Sequence, residues 1–375
     1  MKIGILKETD PEKRVVMLPE SIATLKKLKV STVLVEKGAG ENAFASDEDY
    51  KSAGAEISDR KEILSGCELI LKLNPPEKKE VEALDEGKVL ISMLNPFFNT
   101  ELIKTLNGKG ITSFGLEMVP RTTRAQSMDV LSSQATIAGY KAVLEAASNL
   151  PHFFPMFMTA AGTIKPAKVL IIGAGVAGLQ AIAISRKLGS VVEVFDVRSA
   201  VKEEVKSLGG KFIEVEGAKE DAAAGGYAVE QTEEFKQKQK QLIHDHASKS
   251  DVIICTAQIP GKKAPVLVTK ETVESMKAGS VIVDLAASTG GNCEVTKDGE
   301  TIEHNHVKII GRSDLPSAMS SDSSKMFGQN VINFLKLIID EEGNMNLNFE
   351  DDIIKGTCVT HEKQIVNERI KEFIK

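Results

Sequence analysis

Residues 168–198 read KVLIIGAGVAGLQAIAISRKLGSVVEVFDVR. The run Val169-Leu170-Ile171-Ile172 is apolar and rich in β-branched side chains, the pattern of a strand buried on both faces. Gly173-Ala174-Gly175-Val176-Ala177-Gly178 follows at once, a helical pattern continues to about Leu188, and Gly189 can stop it. Residues 191–195 repeat the buried-strand pattern, with Asp196 at its end.

Each part has a task in holding a dinucleotide. Gly173 permits the tight strand-to-helix turn, Gly175 lets a pyrophosphate approach the backbone, and Gly178 lets helix and strand pack closely. Val176 opens the helix, whose N-terminus offers N–H groups and the positive end of its dipole to phosphates. Asp196 can accept hydrogen bonds from a ribose diol, which favours NAD and repels a 2′-phosphate. Arg198 would favour NADP, but the acid already stands at the strand end, so NAD is expected. The alternative is a glycine-rich turn that binds nothing. Strand, turn, helix, second strand and terminal acid in one register weigh against it.

The chain has 375 residues, enough for two domains with separate cores. A net charge of −6 argues against a nucleic-acid footprint or a polybasic membrane anchor. Cys67, Cys255, Cys293 and Cys358 are scattered without a CxxC spacing, which points to reduced thiols in a cytoplasm-like compartment. The opening MKIGILKETDPEKR is too charged for a signal peptide. The longest stretch without charge, residues 169–185, is too short to span a bilayer. No direct membrane insertion is expected, and work at a membrane would require docking through a partner.

The fold class expected is α/β, with two Rossmann-like domains of parallel sheet joined by two long linker helices. Strand patterns at 2–6, 32–35, 69–73, 89–93 and 111–114 alternate with helical ones at 18–28, 46–50, 78–84 and 100–106. Asn99 is the expected cap of the last of these helices, as Ser46 is of the second. Residues 129 onward form the first linker helix, residues 151–166 an aromatic and methionine-rich loop, and residues 317–339 the second linker helix. The tail, 344–375, has alternating runs that can return a hairpin to the first domain. The expected domains are 1–128 with 341–375, and a nucleotide-binding domain over 129–340. Residues 217–231, small, acidic and glycine-rich around Gly225-Gly226-Tyr227, read as a mobile flap.

Arg121, Gln126, Asp129 and Ser132 gather at the expected domain junction, a natural place for a ligand beside a nucleotide crevice. Asp129 and Ser132 share a helix face, and a plain helix cap is the competing explanation. The His244/His246 and His304/His306 pairs resemble metal ligands, but the first pair diverges on a helix and the second lacks completing ligands, so no metal is expected. No nucleophile–base motif such as GxSxG is present. Hydride transfer between two nicotinamides needs positioning and water exclusion rather than acid–base groups, whereas oxidising an amine needs a general base.

The segments RTTRAQSMDVLSSQ (121–134), MTAAGT (158–163), GAGVAG (173–178), GGYA (225–228), IPGKKAPVLV (259–268) and VIVDLAASTGGNCE (281–294) closely resemble one family. It is the NAD(H)-binding domain I, or alpha-1 subunit, of proton-translocating nicotinamide nucleotide transhydrogenase, related in fold to alanine dehydrogenase. The resemblance implies direct hydride transfer from NADH held here to NADP⁺ on a separate NADP(H)-binding domain, coupled to proton translocation by a membrane-spanning subunit. It implies a homodimer, cytoplasmic and peripheral at the inner membrane. It also implies that Arg121 binds the nicotinamide carboxamide and Gln126 bridges toward the other nucleotide, while Asp129 and Ser132 hold the nicotinamide end. Asp196, Val197 and Arg198 would line the adenosine ribose, Gly226 and Tyr227 the flap, and Thr256, Ala257 and Gln258 the crevice wall.

Alanine dehydrogenase is the rival. Arg14 and Lys72 stand where that family has basic substrate-binding residues, but its catalytic His position falls at or beside Asn95 and its catalytic Asp position at Ser288. No histidine lies between Met1 and Pro151. A non-catalytic NAD-binding module is the third reading, and it gives no reason for the Arg121–Ser132 group.

Overall fold

A computed structural model describes residues 1–215, 232–259 and 261–374. The flap over 217–231, with Gly226 and Tyr227, lies outside the described residues. The chain divides into two compact units, Met1–Gln134 with Ser317–Lys375, and Ala135–Pro316.

The first unit carries an eight-stranded sheet. From edge to edge its strands are Gln364–Ile365, Cys358–His361, Thr112–Gly115, Val89–Ser92, Leu69–Leu71, Lys2–Ile5, Thr32–Glu36 and Glu56–Ser58. All neighbours pair in parallel except the C-terminal hairpin at one edge. The inner strands are wholly buried, as helices on both faces require. The helix Asp47–Ala53 starts in a reciprocal capping box between Ser46 and Asp49. Asn99 does not cap Thr100–Gly108; its amide instead donates to the carbonyl of Leu94, closing the preceding loop.

The second unit carries a seven-stranded sheet ordered Lys211–Ile213, Val191–Phe195, Lys168–Ile172, Val252–Cys255, Val281–Asp284, Val307–Ile310 and Thr301–His304. Only the last is antiparallel. Val307–Ile310 is therefore paired with an added edge strand, which its charged, half-exposed sequence concealed.

Two sequence expectations change. Residues 151–166 are not simply a loop, because Phe157–Thr159 and Gly162–Ile164 pair as a two-stranded hairpin. The helix Ser320–Ile338 belongs to the first unit, not to a domain over 129–340. Its apolar face, with Phe327, Val331, Phe334, Leu335 and Ile338, is buried in the core of that unit beside Ile3, Ile5 and Phe114. The other long helix, Val130–Asn149, begins in the first unit and continues into the second.

Candidate functional site

In the second unit the strand order reverses between Lys168–Ile172 and Val252–Cys255, which opens a crevice at their carboxyl ends. The glycine turn sits there. Gly173 has φ +97°, which only glycine adopts without strain. A Cβ on Gly178 would lie 1.9 Å from the carbonyl oxygen of Gly173, so that glycine is demanded by the close approach of helix and turn. A Cβ on Gly175 would meet nothing within 4 Å. Gly175 is therefore not needed for packing, and its bare backbone borders open space. No side chain caps the helix Val176–Lys187, and Val176 is 39% exposed at its start. The first-turn N–H groups have no intrahelical acceptors, so the residues present fit a pyrophosphate.

Asp196 stands at the end of Val191–Phe195, with its side chain 6% exposed. Its Oδ2 accepts the N–H of Ala174 at 2.7 Å, and its Oδ1 accepts the N–H of Arg198 at 2.8 Å. The Arg198 guanidinium closes a fork on it, Nε to Oδ1 at 2.9 Å and Nη2 to Oδ2 at 2.7 Å. Both oxygens that a ribose diol would use already have protein donors. A sugar would share the carboxylate with Arg198 or displace it. Val197 is half-buried beside them.

Opposite the turn, the Thr256 hydroxyl donates to the carbonyls of Gly173 at 2.9 Å and Ile172 at 3.2 Å. Ala257 is gripped by Asn292, and the exposed Gln258 amide donates to Thr289 Oγ1 at 3.1 Å. Sequence reasoning missed Asn292. Its signal was only a polar residue in a glycine-rich loop after a buried strand.

In the first unit, Thr123–Met128 is a short 3₁₀ helix whose Ala125 and Met128 are buried. Arg124 anchors it through a fork to Asp351 at 2.7 and 2.8 Å, and Asn330 and Asn333 donate to the carbonyl of Ser127. Arg121 and Gln126 are exposed on this anchored segment. Asp129 accepts the N–H and hydroxyl of Ser132 at 2.9 and 2.6 Å, so it caps Val130–Asn149. The cap and any ligand role use the same two residues. Arg124, Asn330, Asn333 and Asp351 had no signal in the sequence, because tertiary contact alone joins them.

The histidines have separate partners. His246 faces Glu193 at 2.6 Å, His304 faces Glu274 at 2.9 Å, and His244 faces the Thr272 hydroxyl at 3.1 Å. Among the described residues no three His, Cys, Asp or Glu side chains stand together to hold a metal.

Comparison with known proteins follows the same division of the chain. Residues 4–138 match the alanine dehydrogenase/PNT N-terminal domain, and residues 142–368 match the alanine dehydrogenase/PNT C-terminal domain. The chain belongs to the alanine dehydrogenase/PNT family. It is 45% identical over 377 residues to the first of the separate chains of NAD(P) transhydrogenase subunit alpha in Rhodospirillum rubrum, covering 98% of each chain. It superimposes on the crystal structure of a transhydrogenase from Sinorhizobium meliloti with a TM-score of 0.89 at 42% identity, covering 98% of this chain and 100% of that one. It is 30% identical over 334 residues to alanine dehydrogenase of Methanococcus maripaludis, covering 86% of this chain and 83% of that one.

Within this family the positions that separate the two named activities are visible in the first unit. Lys72 Nζ lies 2.7 Å from Glu80 Oε2, with side chains 2% and 1% exposed, and Arg60 reaches the other oxygen of Glu80 at 2.7 Å. Arg14 forks onto Glu12 and donates to Gln134 Oε1 at 2.8 Å. Burial pushes Glu12 upward, yet the Arg14 pairing wins and holds its carboxyl at about 2. Both basic groups are thus matched to carboxylates of this chain. Asn95 is exposed with φ +48°, its N–H bonded to Glu117, and Ser288 is exposed in a 3₁₀ turn. Neither is a general base.

Proposed function

We propose that this chain is the NAD(H)-binding subunit of a proton-translocating NAD(P) transhydrogenase. The observation that carries the reading is the glycine turn at the switch point. It combines an uncapped helix N-terminus, open space over Gly175 and an acid bonded to the turn. The 45% identity to a transhydrogenase alpha chain over 98% of both chains supports the choice within the family.

The bound nicotinamide supplies the hydride. The C–H bond at the ring carbon of NADH breaks with its electron pair, and the same pair forms the C–H bond on NADP⁺ held by a partner domain. NADH is oxidised, NADP⁺ is reduced, and no proton passes to solvent at the reacting carbons. The chain's task is then to bind, orient and exclude water. Gly173, Gly175, Val176 and Gly178 hold the pyrophosphate. Asp196, Val197 and Arg198 hold the adenosine ribose, and Thr256, Ala257 and Gln258 form the wall. Arg121, Gln126, Asp129 and Ser132 orient the nicotinamide end. The anchored 3₁₀ helix supports that role, since Arg124 fixes the segment while Arg121 and Gln126 remain exposed.

Among the described residues no helix is long and apolar enough to cross a membrane, so proton translocation is assigned to a membrane-spanning partner subunit. We infer a homodimer, peripheral at the inner membrane on its cytoplasmic side. Support for self-association comes from the hairpin, which leaves Met156, Phe157, Met158 and Ile164 from 40% to 73% exposed. The rival activity, amino-acid oxidation, is disfavoured by the pairing of Lys72 and Arg14 with internal carboxylates. The test is reconstitution with an NADP(H)-binding transhydrogenase domain. NADPH formation from NADH is expected, with no reduction of NAD⁺ by L-alanine. The opposite pattern would replace this reading with a dehydrogenase.

A further inference from the structure

We propose that Asn292 is a positioning residue of the dinucleotide site, setting the distance between the glycine turn and the opposite crevice wall. This rests on the reading of Gly173–Gly178 as the pyrophosphate turn.

Asn292 is fully buried in the loop after the strand Val281–Asp284. Its Oδ1 accepts the N–H of Ala257 at 3.0 Å, and its Nδ2 donates to the carbonyls of Ala257 at 2.8 Å and Pro265 at 2.9 Å. Its own carbonyl accepts the N–H groups of Leu267 and Val268 at 2.8 and 2.9 Å. One side chain therefore binds both backbone groups of Ala257 and welds three segments together. An extended strand gets such pairing from a neighbouring strand. Beyond Cys255 and Asp284 the ladder has ended, and the Asn292 amide stands in for the missing partner.

The consequence falls on the turn. Thr256, one residue before, donates through its hydroxyl to the carbonyl of Gly173. A Cβ on Gly173 would lie 2.7 Å from Thr256 Oγ1 and 3.1 Å from the Ala257 nitrogen, so wall and turn are already in contact. Any drift of Ala257 carries Thr256 with it and alters the mouth where the pyrophosphate enters. Asp284 secures the far end of the Asn292 loop by accepting the N–H groups of Ala286 at 3.0 Å and Cys293 at 2.9 Å.

The discriminating variant is Asn292→Asp. It preserves shape and the acceptor for Ala257, but an ionised carboxylate presents an oxygen to two carbonyls that need a donor. Protonation restores one donor. Burial raises the pKa of such a carboxyl, so the change falls within the neutral range. The titratable and charged groups of the packed elements are Asp284, whose carboxyl burial also pushes up, the buried thiols Cys255 and Cys293, Lys263 and Glu294. Since wild type shares them, the quantity to read is the variant-to-wild-type ratio at each pH.

NADH affinity would be titrated by the fluorescence of the nucleotide from pH 5.5 to 8.5, on proteins checked for matching thermal unfolding. Asn292→Asp is expected to bind at least about tenfold more weakly at pH 8.5. Most of that loss should be recovered at pH 5.5. A folded variant with wild-type affinity at pH 8.5, or a loss that does not change with pH, would overturn the proposal. If Asn292→Asp does not fold, amide exchange in wild type decides. Ala257 N–H should exchange slowly with and without NADH, and fast exchange without nucleotide would refute the weld. Wild type that binds no NADH at all would instead remove the nucleotide reading on which the proposal rests.

Discussion

Asp196 Oδ2 accepts the N–H of Ala174 at 2.7 Å, so the acid that ends the second strand is bonded into the middle of the glycine turn. The acid therefore has two tasks: it fixes the turn's conformation and it presents charge to the ribose. Asp196→Asn keeps an acceptor for Ala174 and loses the charge, while Asp196→Ala loses both. NADH binding should fall in both variants, and about tenfold further in the alanine variant. Discrimination against NADPH should relax in both. An unchanged NADH/NADPH preference would show that the carboxylate does not face the 2′-position.

Arg198 is the counterion of that acid, through a fork of 2.7 and 2.9 Å. Removing it leaves the carboxylate unbalanced. Arg198→Ala should lower NADPH affinity by a larger factor than NADH affinity, since a 2′-phosphate then meets only negative charge. Competition titrations with the two nucleotides measure the ratio, and a ratio that moves toward NADPH contradicts the electrostatic argument.

Gly175 and Gly178 should separate binding from folding. At Gly175 an added methyl enters open space at φ −78°, which alanine adopts freely. Gly175→Ala should fold with near-normal thermal stability and bind NADH at least about tenfold more weakly, because the methyl stands where the pyrophosphate must approach. At Gly178 the methyl collides with the Gly173 carbonyl, so Gly178→Ala should destabilise the second unit by about 2 kcal/mol or more. Calorimetry alongside binding tests the contrast, and equal behaviour of the two variants would refute it.

Arg121 and Gln126 are exposed, and the 3₁₀ helix carrying Gln126 is held by Arg124 and Asp351. Arg121→Ala and Gln126→Asn should slow hydride transfer with a partner domain by about tenfold or more, with much smaller losses in NADH binding. Equal losses in both would assign these residues to affinity rather than to orientation of the ring.

Glu117 supplies a prediction about pH. Burial pushes its carboxyl up from 4.5 to about 7, against the N–H groups of Leu94 and Asn95 that it accepts. A carboxyl raised in the folded state contributes stability below its unfolded value and loses it as pH climbs through the folded one. Glu117→Gln keeps an acceptor without the charge. Its thermal midpoint relative to wild type should therefore rise by about 2 °C or more between pH 5 and pH 8. A difference that stays constant across that window would mean the carboxylate is not penalised by burial.

The second unit was legible because strand, turn, helix and acid lie within one short stretch, and each residue's task is local. The strand order and the crevice followed from that stretch and the buried runs after it. What stayed hidden depends on distant partners. Asn292 reads as an ordinary loop residue until Ala257 and Pro265 are placed against it. The helix Ser320–Ile338 has an amphipathic pattern that says it is buried but not against which sheet. The hairpin of Phe157–Thr159 and Gly162–Ile164 has exposed apolar residues on both strands, so no alternation marked it. Asp129 and Ser132 were foreseen as a pair, and the bonds between them serve the helix start, which the spacing could not separate from a ligand role.

The most direct test uses NADH deuterated at the transferable ring position, this chain, and a partner domain loaded with NADP⁺. Direct transfer predicts deuterium in NADPH by mass spectrometry, without dilution by solvent hydrogen and only when both proteins are present. NADPH that forms with hydrogen from solvent, or no labelled NADPH with a partner proven active, would contradict the assignment of this chain as the NADH-side subunit.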